Sequence, residues 1–593
     1  MSVSARKVDP ATIEVVRNAL VALAQEMMIN VKRAAYSPSI HEIQDVAVGL
    51  LDADGQLIAC APGLPMFLAD LGECVRDGLE LLGRDRMREG DVYLSNDPYT
   101  IGTHINNVAT YLPIFRGGQI IAFAAVRGHM VDMGGAVPGS RSSRLTEIYQ
   151  EGLRLRQVRY HDQGRPVDEI HRLIADNTRM PEAVLGDLRA QVAACRTGER
   201  RLLALLEKYG DATMFESVDR ILRHGEELAR AAVRSIPDGS YSADAFLDDD
   251  GIEPGVPIQL TIAVEVSGDE MTIDFSGYPD QVRGSINTGP SGAIAIARTA
   301  FKCLTTPTEP VNEGQFRPLT VKAREGTVVS AQRPAACGWW ARTTSTSIDM
   351  VFRSLAAALP DRVPAGHFGD VPMCLINGVD RAGRRFVIFD PIPGGHGGRP
   401  YEDGPSATVC FHEGDTPDIP VEVQELMFPI LVQESTLDED SGGAGRYRGG
   451  LGYRRVFRML GDANQVQLNI DRNGCLPWGL GGGLPGAPNR AYLREGAEAA
   501  WQLALKRDGV SATPETEIMV CGGGGGGWGD PLEREPEAVL ADVVDERISP
   551  ACAERDYGVV IAGSAIDLAG TEELRARRRE AAENAKPAPQ ESQ

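Results

Sequence analysis

The sequence is short of the features that mark secreted, membrane-spanning or nucleic-acid-binding proteins. Its ten cysteines contain no CxxC pair and no regular spacing. That pattern excludes a disulfide frame or a zinc knuckle and predicts reduced thiols in a cytoplasmic protein. No apolar run is long enough to span a bilayer, and the first residues lack a basic, then apolar, then small-residue leader pattern. A soluble chain with no membrane partner is expected. Positive charge is in deficit: 60 Lys and Arg against 83 Asp and Glu give a net charge of −23. That balance argues against nucleic acid and anionic lipid surfaces as partners. A Walker-type phosphate loop is also missing, so any ATP and magnesium the reaction needs are expected on another polypeptide. What the chain does have is length and glycine. Its 593 residues exceed what one core fills, and 66 of them are glycine, so two or more domains are expected.

The most informative stretch is residues 93–139. Two short apolar runs around 111–115 and 120–126 are joined through Gly117-Gly118, which reads as a β-hairpin. The polar loop before it carries Asn96, Asp97, Thr103, His104, Asn106 and Asn107. The loop after it carries Arg127-Gly128-His129 and Asp132. A hairpin brings these loops together, so His104, His129 and the short polar side chain of Asn107 come within reach of one ion. Imidazole with oxygen donors suits Zn, Mn or Fe, of which Zn or Mn is expected here. The plainer reading is that each histidine is a hydrogen-bonded loop residue. Gly102, Gly128, Gly134 and Gly135 add weight to a bound group, because glycine lets backbone approach one closely.

Elsewhere, Asp9-Pro10 reads as a helix start followed by apolar residues at helical spacing to about residue 35. A strand is expected over 43–51, with Asp45 near its start. Residues 146–236 read as helical, 237–363 as β-rich with helices, and 364–558 as Gly/Pro-rich strands and extended segments. The boundaries drawn are therefore 1–145, 146–236, 237–363, 364–558 and 559–593, the last a charged helix and tail. Within the third segment, AACGWWARTTSTS (335–347) resembles a pocket wall, and Trp339 and Trp340 are candidate substrate-binding residues with Thr103 and Asn106. Cys337 and Cys521 flank glycines and are either reactive thiols or small core fillers. A strand is expected over 426–432.

Several motifs in order, NDPYTIGTH, RGHMVDMGG, TEIYQEG, DSGGAGRYRGGLG, PWGLGGGLPGAPNR and GGGGGGWGDP, resemble the hydantoinase B/oxoprolinase family. That family includes B-type subunits of ATP-dependent hydantoinases and related acetone and acetophenone carboxylase subunits. The resemblance implies an α+β, multidomain fold with antiparallel, barrel-like sheets, a helical segment and a glycine-rich bundle of polyproline-II-like helices. It implies metal ligation at Asp45, His104, position 107 and His129. This chain departs there, with Asn107 where the family pattern has Asp. It also implies a partner, a hydantoinase A-type ATPase subunit of actin-like fold, in a hetero-oligomer acting on a small molecule.

Catalytic roles are then expected of His104, His129, Asp97 and Asp132. The neutral Asn107 weakens a water-activating metal, which tilts the expected reaction toward carboxylation of a ketone. ATP-dependent hydrolysis of a cyclic amide is the alternative, and a non-catalytic scaffold the second alternative.

Overall fold

Helix α1 (Pro10–Ala34) starts where the Asp9 carboxylate accepts the Thr12 N–H at 3.0 Å. In the computed structural model its buried residues Val16, Leu20, Leu23, Met27 and Val31 form one stripe, the face an amphipathic helix turns to a core. The structure describes residues 8–584 apart from 102, 381, 415, 462 and 463. Gly102 and the expected tail beyond 585 therefore lie outside the described residues.

The stripe packs on a seven-stranded antiparallel sheet and on the long helix α2 (Pro181–Tyr209). In chain order the strands are β1 (Val46–Asp52), β2 (Leu57–Cys60), β3 (Val92–Ser95), β4 (Asn107–Arg116), β5 (Gln119–His129), β6 (Val158–Asp162) and β7 (Arg165–Pro166). Across the sheet they run β2-β1-β5-β4-β3-β6-β7. The β4–β5 hairpin is the one expected. Gly117 and Gly118 both take positive φ, 58° and 78°, the turn geometry that matches strand twist. β1 begins later than expected, because Gln44 at φ 61° turns the chain just before Asp45.

Helix α3 (Asp211–Val233) leads to a four-stranded sheet of Gly239–Leu247, Ile258–Ser267, Glu270–Asp274 and Leu319–Lys322, whose last pair is parallel. Leu260, Ile262, Val264 and Val266 alternate into its core, and helix α4 (Ala341–Leu355) covers it. Here the structure departs from expectation. Residues 341–347 are the first turns of a buried helix, and two of their hydroxyls bond its own carbonyls, Thr344 Oγ1 to Trp340 O at 2.8 Å and Ser347 Oγ to Thr343 O at 2.6 Å, while Thr343 and Ser345 reach Ile286 O and His412. Such back-bonding lets a Ser/Thr run stay helical when buried.

Two further sheets, one of four strands and one of five, share a separate apolar core built from residues such as Ile376, Phe457, Leu468 and Val520. The strand expected over 426–432 is instead a short helix, Val421–Met427, followed by the strand Ile430–Asp438; Pro429 stops the first and the second starts beyond it. All the sheets are open, so the expected barrel likeness does not extend to closure.

The glycine run at 522–529 threads between three other glycine-rich segments. Gly395 N–H donates to Gly523 O at 2.8 Å, Gly525 N–H to Gly450 O at 2.9 Å, and Gly527 N–H to Leu484 O at 2.9 Å. A Cβ built on Gly525 would lie 2.0 Å from the His396 carbonyl oxygen. Only glycine permits backbones this close, so the low-complexity segments form a packed, hydrogen-bonded bundle.

Candidate functional site

Three adjacent strands deliver side chains to one end of the large sheet. Asn107 opens β4 and is the ladder partner of His129, the last residue of β5. The His129 N–H donates to the Asp45 carbonyl at 3.1 Å, which seats Asp45 beside it at the start of β1. The loop before β4 adds His104. It is tied to the loop after β5 by Asn106, whose Nδ2 donates to Met130 O at 2.8 Å and whose carbonyl accepts from Met130 N at 2.8 Å. The two imidazoles converge as expected, with ring centres 5.1 Å apart and both buried.

Between them lies a group not anticipated from sequence, the guanidinium of Arg141. Its Nη2 is 2.9 Å from His104 Nε2 and 3.1 Å from His129 Nε2. Its Nε is 3.3 Å from His104 Nδ1, and Nη1 contacts Met373 Sδ at 3.1 Å. Trp339 and Phe389 flank it, their ring centres 5.4 and 5.3 Å from Cζ, distances at which a desolvated cation is attracted to an aromatic face. Burial, with Arg141 beside them, pushes both histidines well below the usual imidazole range, so they are neutral and able to accept from it. Burial pulls Arg141 down to about 10, which leaves it charged at neutral pH.

The cavity here is small, about 30 Å³, and is lined by Asp45, Asn107, His129, Arg141, Trp339, Trp340 and Glu413 among others. Burial, then the neighbouring Glu413 charge, raises the Asp45 carboxyl well above the usual range. Asp45 Oδ1, both amide atoms of Asn107, His129 Nδ1 and Trp339 Nε1 are buried without a hydrogen-bond partner among the described residues. Buried polar atoms are normally paired, so this set marks a place where a ligand or water completes the bonding. A cleft of about 770 Å³ adjoins it, sharing Glu413 and flanked by Gln44 and Val46 on either side of Asp45.

Of the remaining candidate residues, Trp339 and Trp340 line this cavity and the others are engaged elsewhere. Asp132 is buried but bonded between its own loop and the segment at Thr178 and Arg179. It accepts from Gly139 N at 3.0 Å, Arg179 N at 2.7 Å and Thr178 Oγ1 at 3.1 Å, holding the turn that delivers Arg141. Asp97 accepts from Arg333 and from Tyr99 N on the far side of its loop. Thr103 accepts from Arg127, and Asn106 uses its Nδ2 on the loop staple while its Oδ1 is buried without a partner among the described residues. Gly134 and Gly135 do allow a close approach, but of backbone: added Cβ atoms would lie 2.2 Å from Asn177 O and 2.5 Å from Gln150 O. Cys337 and Cys521 are thiols, pushed up by burial, the second to about 12. Trp340 stands 6.3 Å from His104 and 5.2 Å from His412, ring centre to ring centre. The turn carrying the tryptophans is held by Glu151, whose Oε1 accepts from Cys337 N at 2.6 Å and Gly338 N at 2.7 Å.

A divalent ion fits this donor set poorly. The nitrogens through which the two imidazoles face each other already accept from one guanidinium, and Asn107 offers a neutral oxygen. Among the described residues no group of three or more His, Cys, Asp or Glu side chains is arranged to hold a metal.

The family model described as hydantoinase B/oxoprolinase matches residues 9–531. A protein of Pseudomonas sp. strain NS671, described as the B component of a D-/L-hydantoinase, is 31% identical over 96% of this chain and 98% of its own. The beta component of the Pseudomonas jessenii caprolactamase is 31% identical over 96% of this chain and 99% of its own. The crystal structure of the ATP-dependent caprolactamase from that organism superposes with a TM-score of 0.91 at 30% identity, covering 96% of this chain and 100% of that one. The nucleotide-free structure of acetone carboxylase shares the fold, with a TM-score of 0.89 at 19% identity over 98% of this chain and 84% of that one. With a match over most of its length and relatives aligned end to end, the chain belongs to the hydantoinase B/oxoprolinase family.

Proposed function

We propose that the chain is the B-type member of a two-component, ATP-dependent enzyme that opens a cyclic amide after a separate subunit has activated it. The observation that carries this reading is the end-to-end likeness to an ATP-dependent caprolactamase, in sequence and fold. The cavity at His129 and Arg141, with His104 against the same guanidinium, gives that likeness a candidate reaction centre. With no phosphate loop in this chain, ATP and magnesium fall to a hydantoinase A-type subunit of actin-like fold, and the working unit is a cytoplasmic hetero-oligomer. No helix of the described residues is long and apolar enough to cross a membrane.

In this reading the partner phosphorylates the amide oxygen. Water then adds to the activated carbon, a neutral imidazole takes its proton, and the carbon–nitrogen bond breaks with a proton passing to the ring nitrogen. A second water releases phosphate. General-base help from a held imidazole is worth roughly 10²–10⁴-fold. The guanidinium favours the phosphoryl oxygens of the activated substrate and of the acyl phosphate that carbon–nitrogen cleavage leaves, since it is fixed in place beforehand. The 770 Å³ cleft supplies room for a substrate that the small cavity lacks.

Ketone carboxylation is the second reading. It is favoured by Trp339 and Trp340 on the cavity wall and by Asn107 in place of a carboxylate. The test is the complex with its ATPase partner, supplied with lactams and hydantoins or with ketones and labelled bicarbonate. ATP-dependent ring opening supports the first reading, ATP-dependent uptake of label the second, and neither leaves the chain a scaffold.

A further inference from the structure

Seven arginines are buried among the described residues: Arg127, Arg141, Arg342, Arg448, Arg455, Arg472 and Arg534. Six have a carboxylate within ion-pairing distance: Arg127 with Asp70, Arg342 with Asp370, Arg448 and Arg534 with Asp542, Arg455 with Asp390, and Arg472 with Asp349. Arg141 is the exception. Among the described residues no carboxylate oxygen lies within 4.0 Å of its nitrogens. Its protein partners are two neutral imidazoles and a thioether. Asp45 and Glu413 share its cavity and act on it only from beyond ion-pairing distance; a buried charge with no direct ion pair is costly, and natural proteins keep one mainly where a ligand completes it. The orphaned polar atoms of Asp45, Asn107, His129 and Trp339 surround the same cavity.

We propose that Arg141 replaces a divalent metal as the resident cation of this site, and that the site takes a small oxyanion, a phosphoryl or carboxylate group, on its guanidinium. Charge and geometry both favour the exchange. A dication held by two carboxylates and two imidazoles is balanced by two negative charges, whereas one guanidinium with Asn107 in place of a carboxylate needs only one. Bringing a metal ion beside Arg141 would set like charges together. That repulsion is strong at the low effective dielectric of a buried site, and a dication doubles it relative to a unit charge. A guanidinium instead offers planar, directed N–H donors suited to phosphoryl and carboxylate oxygens. That the oxyanion belongs to the activated substrate rests on the function proposed above. The exchange of guanidinium for metal does not.

The test is metal content and anion binding of the full chain with its partner subunit, prepared in zinc- and manganese-supplemented medium without chelator. The expected result is less than about a tenth of an ion per chain in the wild type. About one equivalent of zinc is expected in the double variant Asn107→Asp/Arg141→Ala, which restores a carboxylate ligand and vacates the centre. Orthophosphate should bind the wild type, read by calorimetry, at least about tenfold more tightly than it binds Arg141→Met, which keeps the side-chain bulk. One equivalent of zinc or manganese in the wild type, lost in His104→Ala, overturns the proposal. So does orthophosphate binding that is equal in wild type and Arg141→Met, or absent from both. If the chain is metal-free and binds phosphate through Arg141 while the complex turns over no substrate, the functional reading fails and this inference stands.

Discussion

Asn107 and His129 face each other as ladder partners across the β4–β5 hairpin, so a single strand register sets the spacing between the two residue types on which the site depends. A one-residue slip would send both side chains to the opposite face. Because the pairing is held at the far end by Gly117-Gly118, replacing both glycines with Val, which resists positive φ, should loosen the register. The predicted outcome is a lower melting temperature and loss of ATP-dependent product formation together, seen by calorimetry and assay on the same preparation.

His104→Ala and His129→Ala should each lower kcat of the complex by about 10²-fold or more, with smaller effects on KM, if the imidazoles act on the activated substrate. Measured kcat and KM on one substrate check this. An unchanged kcat in either variant removes that ring from the chemistry.

Arg127 and Asp70 are both fully buried and ion-paired, and Arg127 also donates to Ile101 O at 2.7 Å. Arg127→Met strands the Asp70 charge and should destabilise the protein by about 3–5 kcal/mol at pH 8. Burial, against the pull of Arg127, already raises Asp70 to about 7. The loss should therefore shrink near pH 5, where the stranded carboxyl takes up a proton. Chemical denaturation at the two pH values reads the difference.

Glu151 gives a prediction of definite sign. Burial raises it from 4.5 to about 8, against the hydrogen bonds from Cys337 and Gly338. Its folded-state pKa lies above the unfolded value, so the folded protein binds the extra proton between those limits. Stability from this group is present below about pH 4.5 and declines as pH rises toward 8. The slope reaches at most about 1.4 kcal/mol per pH unit. Glu151→Gln should flatten that part of the stability–pH curve.

Much of this was legible beforehand, for physical reasons. A glycine pair between two apolar runs has few solutions other than a hairpin, so the meeting of His104 and His129 followed from spacing. Asp45 followed from the family resemblance, because an aspartate before a strand is ordinarily a turn residue. Arg141 was hidden by its type and setting. An arginine in a serine-rich loop reads as solvated, and nothing local shows that Asp132, Ser140 and Gly139 turn it inward. The 335–347 run read as a pocket wall with hydrogen-bonding groups; the tryptophans do line the cavity, but Thr344 and Ser347 bond the helix's own carbonyls because burial leaves them no water. The glycine runs were expected to pack as extended segments because a missing Cβ lets backbones approach, but which run meets which is set by contacts distant in sequence.

The most direct test of the account is the coupling of ATP use to product in the two-component complex carrying Arg141→Met. The account predicts that the partner's substrate-dependent ATP hydrolysis persists within about threefold, while ring-opened product per ATP falls by about 10²-fold or more, because activation occurs elsewhere and completion fails here. Product per ATP equal to that of the wild type would contradict it.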